Sequence, residues 1–139
     1  MANFHFDLVS PERLLFSGEV QQVDLPGSEG DFGVLAQHSP LVATLRPGIL
    51  VIHEGSQHQR IVVSGGFAEI SPQGVLTVLA DSAVAVEDFD RSMLSTQITE
   101  AEQQAAAAEG HTRDRFSHRA EQLKALQTSL SGGAASAAH

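Results

Sequence analysis

The segment that decides the fold runs from Pro47 to Leu79 and reads PGILVIHEGSQHQRIVVSGGFAEISPQGVLTVL. It contains short runs rich in β-branched residues, and the runs end at turn residues such as Gly55-Ser56 and Gly65-Gly66. Such runs favour strands, because branched side chains suit a pleated, half-buried surface. Short strands with turn signals about every 8–12 residues predict a β-sandwich or a β-barrel.

The same pattern extends back to the start of the chain. Phe4, Phe6 and Leu8 alternate with polar residues, and a period of two is typical of a half-buried strand. Pro26-Gly27 then marks a turn after another apolar run. We therefore interpret residues 1–86 as one all-β domain.

The pattern changes near Glu87, where the strand signals stop. Asp88 or Asp90 can cap the start of a helix, because a carboxylate accepts hydrogen bonds from the free N–H groups there. Two apolar stripes with helical spacing follow, and Gly110 between them is interpreted as the C-terminal cap of the first helix. The stripes consist of Leu94, Ile98, Ala101, Ala105 and Ala108, then Phe116, Ala120, Leu123, Leu126 or Gln127, and Leu130.

Two helices joined by so short a break predict an antiparallel hairpin. The first stripe ends in alanines, which bury little apolar area, so we expect the hairpin to be only marginally stable alone. The predicted chain is therefore α+β, with a β domain over residues 1–86 and a helical hairpin over 87–130. Residues 131–139 lack any pattern and are predicted to form a disordered tail.

The composition argues against several classes of function. A net charge of −9 with only eight Lys and Arg residues argues against binding to nucleic acid or to an anionic lipid surface. Lys124 is the only lysine, which removes any phosphate-binding loop built on a lysine. The chain has no cysteine, so disulfides, thiolate zinc sites and thiol catalysis are excluded. No apolar run approaches the roughly 20 residues of a membrane span, and the first residues do not suggest a secretory signal.

Catalytic and metal-binding motifs are missing from the sequence, so we expect no active site, no metal and no cofactor. No serine lies in a Gly-x-Ser-x-Gly elbow. His53 and His58 flank a predicted turn without a third ligand. His111 and His118 lie seven residues apart, and a metal site needs ligands that converge in a fixed geometry. A small β-sandwich enzyme or a metal-binding protein stays as the alternative, and a convergent cluster of histidines and carboxylates would favour it.

The basic residues are concentrated in the second predicted helix. Four of the eight are Arg113, Arg115, Arg119 and Lys124. One interpretation is a solvated helix face. The other is a patch that docks on an acidic surface of a partner, reversibly and with a dependence on salt.

Motifs in residues 4–90 resemble the N-terminal domain of ATP synthase epsilon subunits. Each motif alone is weak, whereas several in the same order are specific; the helical segment matches only weakly. The motifs are Ser10-Pro11-Glu12, Leu15-Phe16-Ser17-Gly18-Glu19-Val20, the run from Leu25 to Leu35, His38-Ser39-Pro40, Leu45-Arg46-Pro47-Gly48, Ser64-Gly65-Gly66-Phe67-Ala68-Glu69 and the run from Val78 to Ala83.

The resemblance implies a ten-stranded β-sandwich followed by a two-helix domain, in a subunit without catalytic activity of its own. It implies that the sandwich sits at the foot of the central stalk. One side would pack on the gamma subunit, and one end would touch the polar loops of the membrane c-ring. The ring-facing loops of the family correspond here to Glu29-Gly30-Asp31 and to His38. Such a subunit would lie peripherally, at the cytoplasmic face of the bacterial inner membrane.

The resemblance also implies a regulatory role for the helices. In the family they fold against the sandwich or extend beside gamma, and in the extended state they contact the alpha and beta catalytic subunits and inhibit ATP hydrolysis. The candidates for contact with an acidic loop of beta are Arg113, Arg115, Arg119 and Lys124.

One departure from the family concerns nucleotide binding. Some epsilon subunits bind ATP through Ile/Leu-Asp-x-x-Arg-Ala at the start of the first helix, where this chain has Phe89-Asp90-Arg91-Ser92-Met93-Leu94. Asp90 keeps the acidic position, but Met93 replaces the arginine, and a thioether cannot donate a hydrogen bond to a phosphate. We therefore expect weak or no ATP binding, against the alternative of an ATP-sensing variant of the same subunit.

Overall fold

The computed structural model describes residues 2–131, which form two compact units that divide between Glu87 and Asp88. The first unit contains strands and the second contains helices. This arrangement confirms the prediction of an α+β chain in which a β-sandwich precedes a pair of helices.

The first unit contains ten strands, the number that the family resemblance implied. They are β1 (Phe4–Ser10), β2 (Arg13–Val20), β3 (Gln22–Leu25), β4 (Phe32–Leu35), β5 (Leu41–Leu45), β6 (Gly48–Glu54), β7 (Gln57–Val63), β8 (Gly66–Ile70), β9 (Leu76–Ala80) and β10 (Ala83–Ala85).

The strands form two five-stranded sheets. Sheet I has the order β2-β1-β9-β8-β5, and sheet II has the order β10-β7-β6-β3-β4. Neighbouring strands are antiparallel except for β1 and β9, which run parallel. The parallel pair inserts the first strand between β2 and β9, so the start of the chain is held inside sheet I.

Alternate residues of the strands fill the core of the sandwich. In β1, Phe4, Phe6 and Leu8 are buried, as their period of two predicts. The Phe6 ring lies 5.6 Å from that of Phe16, measured between ring centroids. The largest side chains that are almost fully buried in this unit are Phe6, Leu8, Leu25, Leu50, Ile52 and Leu76. The residues that alternate with them point to the outer faces of the two sheets.

The second unit is a helical hairpin. A 3₁₀ turn (Val86–Asp88) precedes α1 (Arg91–Ala107) and α2 (Gly110–Ser131). The helices run antiparallel, because Ser95 near the start of α1 accepts a hydrogen bond from Gln127 near the end of α2. The buried residues follow the predicted stripes and are Leu94, Ile98, Ala101 and Ala105 of α1 with Ala120, Leu123, Leu126 and Leu130 of α2. Within residues 2–131, no helix combines the length and the apolar character that crossing a membrane requires.

The interpretation of Gly110 as the cap of the first helix is wrong. α1 ends at Ala107, and Ala108 leaves the helical conformation with φ −110° and ψ 168°. Gly110 is instead the first residue of α2, with φ +61°. The chain therefore reverses through Ala108 and Glu109, and glycine provides the left-handed conformation at the entry of the next helix.

The predicted tail begins one residue too early. Ser131 is the last residue of α2. The rest of that prediction, residues 132–139, lies outside the described residues.

Candidate partner-binding surfaces

The outer face of sheet I carries a row of exposed apolar side chains. Leu14 pairs with Val9, Val9 with Leu79, and Leu79 with Phe67, so the four residues cross β2, β1, β9 and β8 side by side. Leu14, Leu79 and Phe67 are 58%, 53% and 55% exposed. We call Leu14, Val9, Leu79 and Phe67 the apolar row. Apolar residues scattered singly on a surface are ordinary, but a contiguous row is typical of a binding face.

A polar network borders the apolar row on the same sheet face. His5 Nδ1 lies 3.0 Å from Glu19 Oε2, and His5 Nε2 lies 2.9 Å from Asp7 Oδ1. Ser17 Oγ donates to Asp7 Oδ1 at 2.6 Å. Glu19 and then Asp7 raise the pKa of His5, because both carboxylates favour the imidazolium form. The Ser17 hydroxyl, and then His5, lower the pKa of Asp7.

The hydrogen-bonded network therefore forms a polar margin beside the apolar row. Protein interfaces commonly combine an apolar centre with a polar rim. The sequence motifs did not reveal this face, because Leu14, Phe67 and Leu79 lie far apart in the chain and only strand register brings them together.

The predicted ring-facing residues lie in the two loops on either side of β4. Glu29, Gly30 and His38 line a concavity of about 490 Å³, together with Phe32 and Val42 among others. His38 is held by its Nδ1 group, which donates to the Ser39 carbonyl at 2.8 Å. The structure therefore brings the two predicted loops to one place.

Asp31 differs from its neighbours because it has an internal partner. Arg46 donates from Nη2 to Asp31 Oδ1 and from Nη1 to the Gly27 carbonyl, so one guanidinium ties both ends of the turn. Within residues 2–131, no ion pair involves Glu29, whose side chain is exposed. Arg46 therefore braces the turn, and Glu29 is the carboxylate presented to solvent.

The predicted basic patch of α2 is smaller than its sequence suggests. Lys124 Nζ lies 2.6 Å from Glu102 Oε2 of α1, so this lysine forms an ion pair between the two helices of the hairpin. Arg113, Arg115 and Arg119 are exposed, and none of the ion pairs within residues 2–131 includes them. Three arginines are therefore available for a partner, and the lysine is already engaged.

Asp90 of the degenerate nucleotide motif caps α1. Its Oδ1 accepts from the backbone N–H groups of Ser92 and Met93 at 3.0 and 3.2 Å, and from the Ser92 hydroxyl at 2.6 Å. These bonds, the Ser92 hydroxyl first, lower the pKa of Asp90. Met93 is 58% exposed and offers no charge. Weak or absent ATP binding stays a prediction, and the local geometry shows a helix cap at this position.

His53 and His58, which sequence analysis left without a role, lie against each other on β6 and β7. Their Nδ1 atoms are 2.7 Å apart, and His53 Nε2 lies 2.7 Å from Asp24 Oδ2. The signal for this pair was their symmetric placement about a two-residue turn, Gly55-Ser56. In residues 2–131, no three His, Cys, Asp or Glu side chains converge as a ready metal cage.

Comparison with known proteins places the chain in a family. Residues 3–86 match the family described as ATP synthase, Delta/Epsilon chain, beta-sandwich domain. An ATP synthase epsilon chain from Rhodopseudomonas palustris (strain BisA53) is 53% identical over 134 residues, which cover 96% of this chain and 98% of that one.

Two solved structures share the fold. A chain of the Euglena gracilis mitochondrial ATP synthase, in an OSCP/F1/c-ring assembly, is 28% identical with a TM-score of 0.77, covering 94% of this chain and 82% of that chain. A chain of the Tetrahymena thermophila mitochondrial ATP synthase central stalk and c-ring is 11% identical with a TM-score of 0.69, covering 90% and 93%, and it shows the fold alone. The family match and the full-length identity agree with the motifs of the sandwich, and the chain belongs to the ATP synthase delta/epsilon chain family.

Proposed function

We propose that this chain is a non-catalytic subunit of the central stalk of a bacterial proton-translocating ATP synthase, in which the sandwich couples the gamma subunit to the membrane c-ring. The observation that carries the proposal is the apolar row, which gives the outer face of sheet I a contiguous exposed apolar surface. In this role the chain is bound peripherally at the cytoplasmic face of the inner membrane through the complex. Membership of the family and the OSCP/F1/c-ring assembly of the Euglena gracilis relative support the proposal.

The apolar row is the proposed contact for gamma. Burying an apolar side chain of the size of Leu or Phe contributes about 1.5–3 kcal/mol. Burial of these three residues, each more than half exposed, would therefore contribute favourable free energy to a stable interface. The neighbouring polar network of His5, Asp7 and Glu19 supplies hydrogen-bonding groups at the margin, which fix orientation more than affinity.

The concavity lined by Glu29, Gly30 and His38 is the proposed contact for the c-ring. Glu29 is exposed and carries a charge that can pair with basic or amide groups on polar ring loops. The Arg46 clamp on Asp31 and Gly27 holds the turn that presents Glu29. A braced loop on a sandwich transmits torque better than a free loop, because little of the rotor's motion is lost in bending it.

Site-directed cross-linking tests both contacts, because the chain contains no cysteine and a single introduced thiol reports one position. We expect Leu79→Cys to cross-link to gamma in the assembled complex and Glu29→Cys to cross-link to the ring subunit. Val84→Cys is the matched control, since Val84 is 38% exposed and lies on a strand of sheet II. A gamma product from Val84→Cys but not from Leu79→Cys would reverse the proposed face.

The helical hairpin is proposed to be the regulatory part of the chain. Half of the buried residues in the first helix are alanines, so the hairpin buries little apolar area and can be rearranged at low cost. The exposed arginines Arg113, Arg115 and Arg119 are the groups proposed to meet an acidic loop of the beta subunit, with the alpha and beta subunits contacted in the extended state. In that state the hairpin restrains rotation and inhibits ATP hydrolysis.

Neutralising the three arginines tests the regulatory proposal. We expect Arg113→Gln, Arg115→Gln and Arg119→Gln together to raise ATP hydrolysis by the complex at low salt by about tenfold at most, because each exposed ion pair contributes about 0.5 kcal/mol. Lys124→Gln is the control, since Lys124 already pairs with Glu102 inside the hairpin. Equal hydrolysis rates for the triple variant and the parent at low salt would reject this role.

A further inference from the structure

His53 and His58 form a close cross-strand pair at the end of the β6–β7 hairpin. The His53 carbonyl accepts a hydrogen bond from the Gln21 N–H, which lies on the side of β3. Because the N–H and C=O of one residue point to the same side in an antiparallel strand, His53 does not bond to β7. The pair is therefore of the non-hydrogen-bonded kind, in which facing side chains approach most closely. Only two residues, Gly55 and Ser56, close the hairpin.

Asp24 determines which nitrogen of His53 carries a lone pair. The Asp24 carboxylate only accepts, so His53 Nε2 donates to Oδ2 across the 2.7 Å contact. In the neutral ring, His53 Nδ1 is then unprotonated and faces His58 Nδ1. Gln22 donates to the other Asp24 oxygen at 2.7 Å, so the carboxylate is itself oriented. A carboxylate behind one histidine nitrogen is the usual support of a metal-binding histidine.

The two Nδ1 atoms lie close enough for one metal ion to contact both. Two nitrogens each about 2.0 Å from an ion, at a bond angle of about 90°, stand about 2.8 Å apart, and this is the arrangement of tetragonal Cu²⁺ and Ni²⁺. A tetrahedral Zn²⁺ site places them about 3.3 Å apart. The two Nδ1 atoms lie 2.7 Å apart as partners in a hydrogen bond, so a small ring movement brings both into contact with one ion. Cu²⁺ binds nitrogen ligands most tightly among the common divalent ions, which makes it the preferred ion.

We propose that His53 and His58 chelate a divalent transition-metal ion through their Nδ1 atoms, with Cu²⁺ preferred. Asp24 is the positioning residue, and water completes the coordination. The ion replaces the proton shared between the rings, and His58 takes up a proton at Nε2, so the ring stays neutral. His53 is 11% exposed in its side chain and His58 is exposed, so the ion enters from the His58 side. The bound ion would cross-link the two strands of the β6–β7 hairpin.

Copper titration of the full chain tests the pair. We expect the parent to bind one equivalent of Cu²⁺ more tightly than any other, with an electron paramagnetic resonance spectrum of tetragonal Cu²⁺ that shows two imidazole nitrogens. His58→Gln should remove this equivalent and the two-nitrogen signature. His118→Gln is the control, since His118 is exposed on α2 and outside the pair. Identical titrations of the two variants, or a parent spectrum without two imidazole nitrogens, would overturn the proposal.

Asp24→Asn separates the positioning role from a purely structural one. We expect this variant to keep the two-nitrogen spectrum but to bind Cu²⁺ about 10–100-fold more weakly, the usual effect of losing such a support. Far-ultraviolet circular dichroism checks that the sandwich stays folded. An unchanged Cu²⁺ affinity in folded Asp24→Asn would remove Asp24 from the proposed site.

Discussion

Gly66→Ala is expected to destabilise the sandwich by about 2–6 kcal/mol, which is much of the stability of an ordinary domain. Gly66 begins β8 with φ +134°, a conformation that residues with a Cβ rarely adopt. An added Cβ would lie 2.1 Å from the Leu79 carbonyl oxygen and 2.9 Å from the Ala80 Cα. Both are backbone atoms, so no side-chain rotation can relieve the clash.

Gly30→Ala provides the matched control for this prediction. Gly30 has nearly the same conformation, φ +135°, but an added Cβ meets nothing within 4 Å. It should cost only the backbone strain, about 1–3 kcal/mol. Urea unfolding of both variants gives the two free energies. Equal losses at the two positions would show that the close approach of β8 and β9 does not decide the need for glycine at position 66.

The close packing at Gly66 also fits the coupling role proposed for the sandwich. Gly66 pairs with Leu45 on one side and with Ala80 on the other, so it joins β5, β8 and β9. Two of the residues of the apolar row, Phe67 and Leu79, stand next to this junction. A binding face built on such tightly joined strands is stiff, which suits a part that passes torque between two partners.

Much of the fold could be predicted from local patterns. The alternation of Phe4, Phe6 and Leu8 predicted a strand with one buried face, and Asp90 was one of two residues expected to cap the first helix. These features depend on neighbours in the chain, so sequence spacing is enough to find them. The helix break was harder, because Gly110 suits either the end of one helix or the entry of the next.

The long-range features could not be predicted in the same way. The parallel pairing of β1 with β9 joins segments about seventy residues apart, and alternation along one strand carries no information about its neighbour. The apolar row depends on that pairing, since Val9 stands between Leu14 and Leu79 only when β1 lies between β2 and β9.

The candidate sites show the same division. Family motifs indicated the Glu29 turn and the His38 loop, and the structure brings both to one concavity. The motifs did not show that Arg46 would take Asp31 as a partner, leaving Glu29 exposed. Nor did they show that Lys124 would pair with Glu102 across the hairpin, because that contact depends on the register of two helices.

Loss of two apolar side chains from the outer face of sheet I is expected to weaken association with the stalk. Phe67→Ser with Leu79→Ser removes two neighbouring side chains of the apolar row, which are 55% and 53% exposed. Because they are exposed, the free energy of unfolding should change by no more than about 0.5 kcal/mol each. Two central apolar anchors of an interface together contribute about 2.8 kcal/mol or more to binding, equivalent to about 100-fold in affinity.

The most direct test of the account is the affinity of this double variant for purified gamma, measured beside Leu35→Ser. Leu35 is 58% exposed but belongs to sheet II, so it controls for loss of any apolar surface residue. We predict binding about 100-fold weaker for the double variant and unchanged for Leu35→Ser, with both proteins folded. If the double variant binds gamma as tightly as the parent, the outer face of sheet I is not the surface that joins this chain to the stalk.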